Sequence, residues 1–149
     1  GEDIYLKDGF RDLFESRAIS VCHPDLATSG GILETKKIGD YAEEHGIAMA
    51  MHMAATPVAT MASVHCAAAT NNFMVLECHA VDYAPWNNLV TGLPNPIIQN
   101  GFIRVPETPG LGIDLNEEAI KAHINPDIPG YFEPTPDWNE ERVNDRHWS

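Results

Sequence analysis

The sequence is poor in positive charge. It has 9 Lys and Arg residues against 22 Asp and Glu residues, for a formal net charge of −13. Proteins that bind nucleic acids or anionic membrane surfaces need clustered Lys and Arg, so we expect neither kind of partner. An acidic protein also repels an acidic substrate, and an anionic ligand would therefore need a local cation such as a metal ion.

Cysteines and long apolar runs are also scarce. The three cysteines, Cys22, Cys66 and Cys78, are widely spaced and form no CxxC pair. This favours reduced thiols and a cytoplasmic setting over a disulfide framework. The pairs Cys22-His23 and Cys78-His79 lack the spacing of tetrahedral zinc sites, so we expect no structural zinc. No uninterrupted apolar run is long enough to span a membrane.

The first 82 residues alternate helical patterns with short β-prone runs. Helices are predicted over residues 7–17, 32–46 and 57 to about 71, and strands over 18–22, 47–51 and 73–76. Thr28 or Ser29 is a candidate cap for the second helix, and Thr56 with Pro57 begins the third. This order predicts an α/β fold with parallel strands buried on both faces.

Residues 83–149 have a different character, rich in Pro, Gly and Asn at first and without a long periodic stretch. Asp114 and Glu117 have the spacing of a capping box, which predicts a short helix through Ile124. Residues 125–149 contain Trp138 and Trp148, and we expect an extended arm that packs against another surface.

Four polar residues stand where strands end. Glu2 precedes the first helix, and Asp25, His52 and Glu77 follow the three predicted strands in turn. Each interval is the length of one strand-plus-helix unit. In a parallel barrel, all strands open on one face at their carboxyl ends, where the active site lies. We therefore expect these four side chains to converge.

Such a cluster has a definite chemistry. A carboxylate at Glu2 can hold Mg²⁺, and Asp25 next to His52 would orient the imidazole as a general base. Burial at the end of an apolar strand predicts a raised pKa for Glu77, which would then be protonated and donate to a developing oxyanion. This arrangement suits proton abstraction next to a carboxylate.

Each residue also has a simpler interpretation. A lone His after a strand is commonly a satisfied core or rim residue, Asp25 after His-Pro suits a turn or a helix cap, and Glu2 suits solvent. A carboxylate at Glu77, after an apolar strand, costs free energy unless it is paired. The regular spacing of the four residues along the chain favours a shared active site over these separate interpretations.

Five segments carry a family resemblance. They are GEDIYL (1–6), SVCHPDLATSGGILETKKIGDYAEEHGI (20–47), MAMHMAATPVATMASVHCAAAT (49–70), VLECHAVD (75–82) and NGFIRVPETPGLGIDLNEE (100–118). In this order they resemble the C-terminal part of enolase-superfamily enzymes of the mandelate racemase branch, and most closely its sugar-acid dehydratases.

The resemblance implies the C-terminal part of a (β/α)8 TIM-type barrel. Residues 1–82 would supply about strands 5 to 8, and residues 83–149 a C-terminal segment with a short helix and an extended tail. The family's lid domain, early barrel strands, lysine motif and two further metal carboxylates have no counterpart in this chain. Since a whole barrel takes roughly 250 residues and the chain opens on Gly1 rather than Met, we expect it to work with a missing N-terminal part of the enzyme.

The resemblance also implies roles. Glu2 matches a Mg²⁺-binding carboxylate, Asp25 and His52 match the family's Asp-His pair with His52 as acid/base, and Glu77 matches a carboxyl that binds the substrate. The implied reaction is dehydration of a sugar acid to a 2-keto-3-deoxy acid. The same pattern leaves open a racemase or epimerase, a cycloisomerase, or a non-catalytic half-barrel subunit. A homo-oligomer is expected from the family.

Overall fold

The computed structural model describes residues 1–127. The elements, in chain order, are α1 (Leu6–Gly9), α2 (Arg11–Glu15), β1 (Val21–Cys22), α3 (Leu26–Ser29), α4 (Gly31–Glu44), β2 (Ala48–Met51), α5 (Pro57–Ala68), β3 (Phe73–Leu76), a 3₁₀ helix (Ala84–Asn88), β4 (Val90–Thr91), β5 (Asp114–Leu115) and α6 (Glu117–Ala122). One compact unit spans Gly1–Asn116, and α6 belongs to a second. Residues 128–149, most of the predicted arm, lie outside the described part.

The first unit is built on a three-stranded sheet in the order β1-β2-β3. Both strand pairs are parallel, with Val21 opposite Ala48 and Met51 opposite Leu76. The helices that connect the strands follow the predicted alternation. The prediction of parallel strands joined by helices is therefore confirmed. The predicted burial on both faces was wrong for β3, where Met74 and Val75 are more than half exposed.

The helix α5 begins as its sequence predicts. The Oγ1 atom of Thr56 accepts a hydrogen bond from the backbone N–H of Ala59 at 3.4 Å, and Pro57 occupies the first turn. Proline fits there because its missing N–H would have no partner inside the helix. The start at Pro57 is thus correct, and the helix ends at Ala68, about three residues before the predicted end.

The predicted caps of the second helix were wrong. Thr28 and Ser29 lie inside α3, and it is Asp25 that caps this helix, with its side chain accepting from the Thr28 N–H. Gly30 then separates α3 from α4 with a φ of +119°, a conformation that glycine adopts without steric cost. Thr28 and Ser29 therefore belong to a short helical turn that a glycine break follows.

The predicted helix over residues 7–17 is divided into α1 and α2. The N–H of Phe10 donates to the carbonyl of Lys7, three residues back, which tightens the chain between the two helices. Phe10 and Phe14 are nevertheless both fully buried, with ring centroids 5.4 Å apart. The two rings therefore lie on one buried side although the helix is not continuous.

The core lies between the sheet and its helices. Its large, fully buried side chains include Phe10, Phe14, Ile38, Met49, Met51 and Met61. Met51 and Met53 flank His52, and both are buried. Since successive side chains of an extended segment point to opposite sides, His52 turns away from the side that its two methionine neighbours occupy.

Residues 83–116 carry structure that the sequence pattern did not indicate. β4 pairs with β5 in an antiparallel ladder. A second apolar cluster forms around Trp86, Val90 and Ile97. The indole N–H of Trp86 donates to the carbonyl of Ala55 at 2.9 Å, which ties this segment to the loop after β2.

The predicted short helix near the end of the described chain exists as α6, from Glu117 to Ala122. It is shorter at its C-terminal end than predicted. Asp114 lies in β5 and is therefore not the residue at which this helix begins. Across residues 1–127, no helix is long and apolar enough to cross a membrane.

Candidate active site

The residues that follow the three parallel strands lie together at one edge of the sheet. Asp25 and His52 form a parallel bridge just beyond β1 and β2. The His52 N–H donates to the Pro24 carbonyl at 3.0 Å, and the Glu77 N–H donates to the Met51 carbonyl at 2.9 Å. Backbone pairing thus continues past the strands and fixes where these side chains begin.

Asp25 and His52 form a close pair. The Nδ1 atom of His52 lies 2.7 Å from Oδ2 of Asp25, and the side chains are 14% and 10% exposed. A carboxylate oxygen accepts, so Nδ1 carries the proton and Nε2 of the neutral ring carries a lone pair. The other Asp25 oxygen, Oδ1, accepts from the Thr28 N–H at 3.1 Å. The helix-capping interpretation of Asp25 and its pairing with His52 are therefore both correct.

Glu77 lies beside three imidazole rings. Its Oε1 atom accepts from Nε2 of His79 at 2.8 Å. Its Oε2 atom is 3.3 Å from Nε2 of His23 and 3.6 Å from Nε2 of His52. Oε2 is buried and accepts no hydrogen bond from any residue of the described chain. One oxygen of Glu77 is thus partnered, and the other is available to a donor.

The predicted protonation of Glu77 was wrong. The hydrogen bond from His79, together with the nearby imidazoles, holds the pKa of Glu77 below its ordinary value, although partial burial opposes this. Burial alone would raise this pKa, but the hydrogen bond from His79, two residues further along the chain, outweighs it. Glu77 is therefore a carboxylate at neutral pH.

Glu2 reaches the same place from the N-terminal segment. Its Oε2 atom lies 3.6 Å from Nε2 of His52, and its side chain is half exposed. All four residues predicted to converge, Glu2, Asp25, His52 and Glu77, thus lie in one group of side chains. Their catalytic and metal-binding roles stay predictions.

Two residues of this group were missed. His23 donates from Nδ1 to the carbonyl of Ala50 at 2.7 Å, and its ring centroid is 5.3 Å from that of His52. The His79 ring centroid is 5.6 Å from that of His52. His23 precedes Asp25 by two positions and His79 follows Glu77 by two. Since alternate residues of an extended chain share a face, this spacing is the signal that could have found them.

We call the whole group the mouth, defined by Glu2, His23, Asp25, His52, Glu77 and His79. It combines three carboxylates with three imidazoles. An imidazole with a fixed tautomer, a carboxylate oxygen that accepts no hydrogen bond in residues 1–127 and an acidic rim together suit the transfer of a proton to and from an oxygen-rich ligand.

The family comparison agrees with this arrangement. The model of the enolase C-terminal domain-like family matches residues 1–119. The chain belongs to this family. The mouth of this enolase-family chain lies wholly within the matched residues, and the matched part ends inside α6.

Individual relatives of this enolase-family chain were also found. The chain is 43% identical over 124 residues to a D-xylonate dehydratase of Haloferax volcanii. The aligned stretch covers 83% of this chain and 30% of the relative. It is 31% identical over 139 residues to a D-gluconate/D-galactonate dehydratase of Picrophilus torridus, which covers 93% of this chain and 35% of the relative.

A solved structure of a mandelate racemase/muconate lactonizing enzyme-like protein from Rubrobacter xylanophilus superposes with a TM-score of 0.81 at 42% identity. The match covers 87% of this chain and 33% of that one. The predicted fold, the C-terminal part of an enolase-type α/β barrel, is confirmed by this likeness and by the family match. The chain spans about a third of the length of these relatives.

Proposed function

We propose that the protein dehydrates a sugar acid, an aldonate or aldarate, to a 2-keto-3-deoxy acid with the help of Mg²⁺. The observation that carries this proposal is the Asp25–His52 pair, with Nδ1 protonated and the Nε2 lone pair facing Glu2 and Glu77. The names of the two dehydratase relatives support the substrate class.

The residues of the mouth fit a role for Mg²⁺, but they supply only one part of its ligand set. Mg²⁺ prefers carboxylate and water oxygens and keeps ligand positions for substrate oxygens. Glu2, half exposed at the rim, would be one carboxylate ligand. When bound, the ion would polarise the substrate carboxylate and make its α-proton more acidic.

In the proposed reaction, Nε2 of His52 takes the α-proton and the ring becomes an imidazolium. The Asp25 carboxylate stabilises that cation and keeps the ring in place. The electron pair left on the α-carbon moves into the enediolate form of the substrate carboxylate. The imidazolium then returns its proton to the departing 3-hydroxyl, which leaves as water, and the resulting enol becomes the 2-keto acid.

Glu77 has an acceptor role in this proposal. Its Oε2 atom is buried near Nε2 of His52 and accepts no hydrogen bond within residues 1–127. A substrate hydroxyl would supply the missing donor, and an unpaired buried acceptor rejects a ligand that lacks one. Glu77 would thereby orient the sugar chain relative to His52.

The proposal includes the rest of the barrel. Three parallel strands leave open sheet edges, and a barrel removes such edges by closing on itself. We propose that the missing N-terminal part of the enzyme supplies the other strands and the remaining metal ligands. The homo-oligomer and the cytoplasmic location stay predictions.

The test is a screen of the purified protein, with all its barrel strands, against a library of sugar acids. Mg²⁺ should support release of a 2-keto-3-deoxy acid, and EDTA should abolish it. His52→Asn should lower turnover by at least about 10²-fold, because the general base is lost. His65→Asn is the matched control, since His65 lies on α5 and its Nε2 contacts the Leu111 carbonyl.

Unchanged turnover in His52→Asn would remove this residue from the mechanism. Exchange of the α-proton with deuterium, without loss of water, would favour the racemase or epimerase. Absence of both turnover and exchange across the library would favour the non-catalytic subunit.

A further inference from the structure

Three acceptor atoms of the mouth lie close together with no hydrogen bond between them. They are Nε2 of His52, Nε2 of His23 and Oε2 of Glu77. His52 and His23 each commit Nδ1–H to an oxygen, on Asp25 and on the Ala50 carbonyl respectively. A neutral ring with Nδ1–H has a bare Nε2. Both bare nitrogens lie within 3.6 Å of Oε2 of Glu77, an oxygen with no hydrogen bond among the described residues. Hydrogen-bond acceptors therefore face one another here, and a bound cation would stabilise this arrangement.

Three of these side chains have the mutual spacing of metal ligands. One ligand atom each from His52, Glu77 and His79 lie within 4.8 Å of one another. His79 currently donates from Nε2 to Glu77, but its side chain is 59% exposed. Its proton can therefore move to Nδ1, through solvent, and leave Nε2 free to coordinate.

The surroundings of His52 are those of a metal-bound histidine. A ligating histidine usually donates its other ring N–H to a carboxylate or a backbone carbonyl, which fixes the ring and makes the ligand nitrogen more basic. Asp25 does this for His52 at 2.7 Å. The carboxylate is itself held by the Thr28 N–H, so the ligand nitrogen of His52 is preorganised.

Two imidazoles and one carboxylate select a borderline-soft ion. Zn²⁺ accepts two histidines and a glutamate with a fourth position open to water, whereas Mg²⁺ prefers oxygen ligands throughout. We propose that His52, Glu77 and His79 form a Zn²⁺-class site that does not use the neighbouring Glu2 carboxylate assigned to Mg²⁺.

Occupation of this site has a functional consequence that rests on the proposed function. Zn²⁺ coordinated by Nε2 of His52 takes the lone pair that would accept the α-proton. It also takes one oxygen of Glu77 and so competes with a substrate hydroxyl for this carboxylate. The site is therefore inhibitory, and Zn²⁺ should oppose the Mg²⁺-dependent reaction rather than support it.

The test measures metal binding directly. The purified full-length protein is titrated with Zn²⁺ by calorimetry in excess Mg²⁺, and with Co²⁺ by visible absorption. One equivalent of Zn²⁺ should bind per chain despite the Mg²⁺, and Co²⁺ should give the bands of a four-coordinate nitrogen and oxygen site, which Zn²⁺ then removes.

Variants assign the ligands. His79→Gln should weaken Zn²⁺ binding at least about tenfold, and Asp25→Asn should weaken it by about 10–100-fold, because the partner of a ligating histidine is lost. The matched control is His65→Gln on α5, for which no change in affinity is expected. Circular dichroism of each variant checks the fold.

Absence of Zn²⁺ binding in excess Mg²⁺ would overturn the proposal. So would affinity that is unchanged in His79→Gln, or that falls equally in His65→Gln. The binding assays need no substrate, so their result is independent of the dehydratase assay. A protein that binds Zn²⁺ at these residues but dehydrates no sugar acid keeps the metal site and loses the proposed function.

Discussion

The mouth differs in burial and polarity from a second surface of the same unit, which we call the β3 flank and define by Met74, Val75 and Phe102. In the mouth, the key side chains, Asp25 and His52, are 10–14% exposed and bonded to each other. On the flank, Met74 and Val75 of β3 and the ring of Phe102 are 52–78% exposed. An apolar groove of about 320 Å³ lies there, lined by side chains of α5, β3 and residues 98–105.

The polar contacts that the proposed chemistry needs and the apolar packing of the unit thus lie on different surfaces. The polar pairs of the mouth are made within this chain, so the Asp25–His52 geometry does not depend on another segment. The flank is apolar and uncovered, and a contiguous exposed apolar surface typically marks a contact with another part of the protein. The further barrel strands proposed above are thus expected to complete the packing more than to orient His52.

Asp25→Asn should have the largest effect and tests the self-sufficiency of the mouth. The amide oxygen can still accept from the Thr28 N–H, but the amide nitrogen cannot accept from Nδ1 of His52. We expect kcat for the sugar acid to fall by about 10²–10⁴-fold, with little change in the melting temperature.

The control for this change is Asp40→Asn. Asp40 pairs with Lys36 on the surface of α4, where an exposed ion pair contributes little. A similar loss of kcat in both variants would mean that charge in general, and not the bond to His52, sets the rate.

The cysteines give a second, smaller contrast. Burial raises the pKa of Cys22 to about 11 and also raises that of Cys66, whereas Cys78 is half buried and lines the groove of the flank. Since the thiolate is the reactive form, iodoacetamide at pH 8 should label Cys78 roughly tenfold faster than Cys22. Mass spectrometry of the labelled peptides measures the three rates.

Faster labelling of Cys22 than of Cys78 would contradict the burial described for β1. The same experiment on the protein with its whole barrel sharpens the comparison. Protection of Cys78 there, but not in the 149-residue chain, would indicate that the flank is covered.

The smallest effect is expected for Phe102→Ala in the 149-residue chain. The ring is 78% exposed, and such surface changes usually alter the free energy of unfolding by no more than about 0.5 kcal/mol. Phe14→Ala is the matched control, because that ring is fully buried and its loss should cost about 3–5 kcal/mol. Chemical denaturation measures both.

A large loss from Phe102→Ala in the short chain would mean that the ring already packs within it. In the longer protein a larger loss is expected than in the short chain, since other barrel strands would then contact the flank.

The sequence indicated the strand ends well because periodicity and spacing are local signals. Asp25, His52 and Glu77 each follow a short apolar run, and parallel pairing brings such positions together without further information. The caps were harder to predict. Asp25 and Thr28 were both polar candidates, but the short helix α3, which begins after Asp25 and ends before Gly30, was not predicted.

The charge state of Glu77 was missed for a different reason. Burial and hydrogen bonding to the charged form shift a carboxyl pKa in opposite directions, and only the burial can be inferred from an apolar strand. His79 reverses the outcome because it lies on the same side as Glu77. β4 and β5 were missed because two-residue strands, separated by some twenty residues of loop, have no periodicity to detect.

Asp25 serves two structural purposes with its two oxygens, one toward α3 and one toward His52. The start of α3 and the orientation of the imidazole therefore depend on the same carboxylate. Mild heating or denaturant that loosens this turn is therefore expected to lower turnover in the proposed reaction before the sheet unfolds.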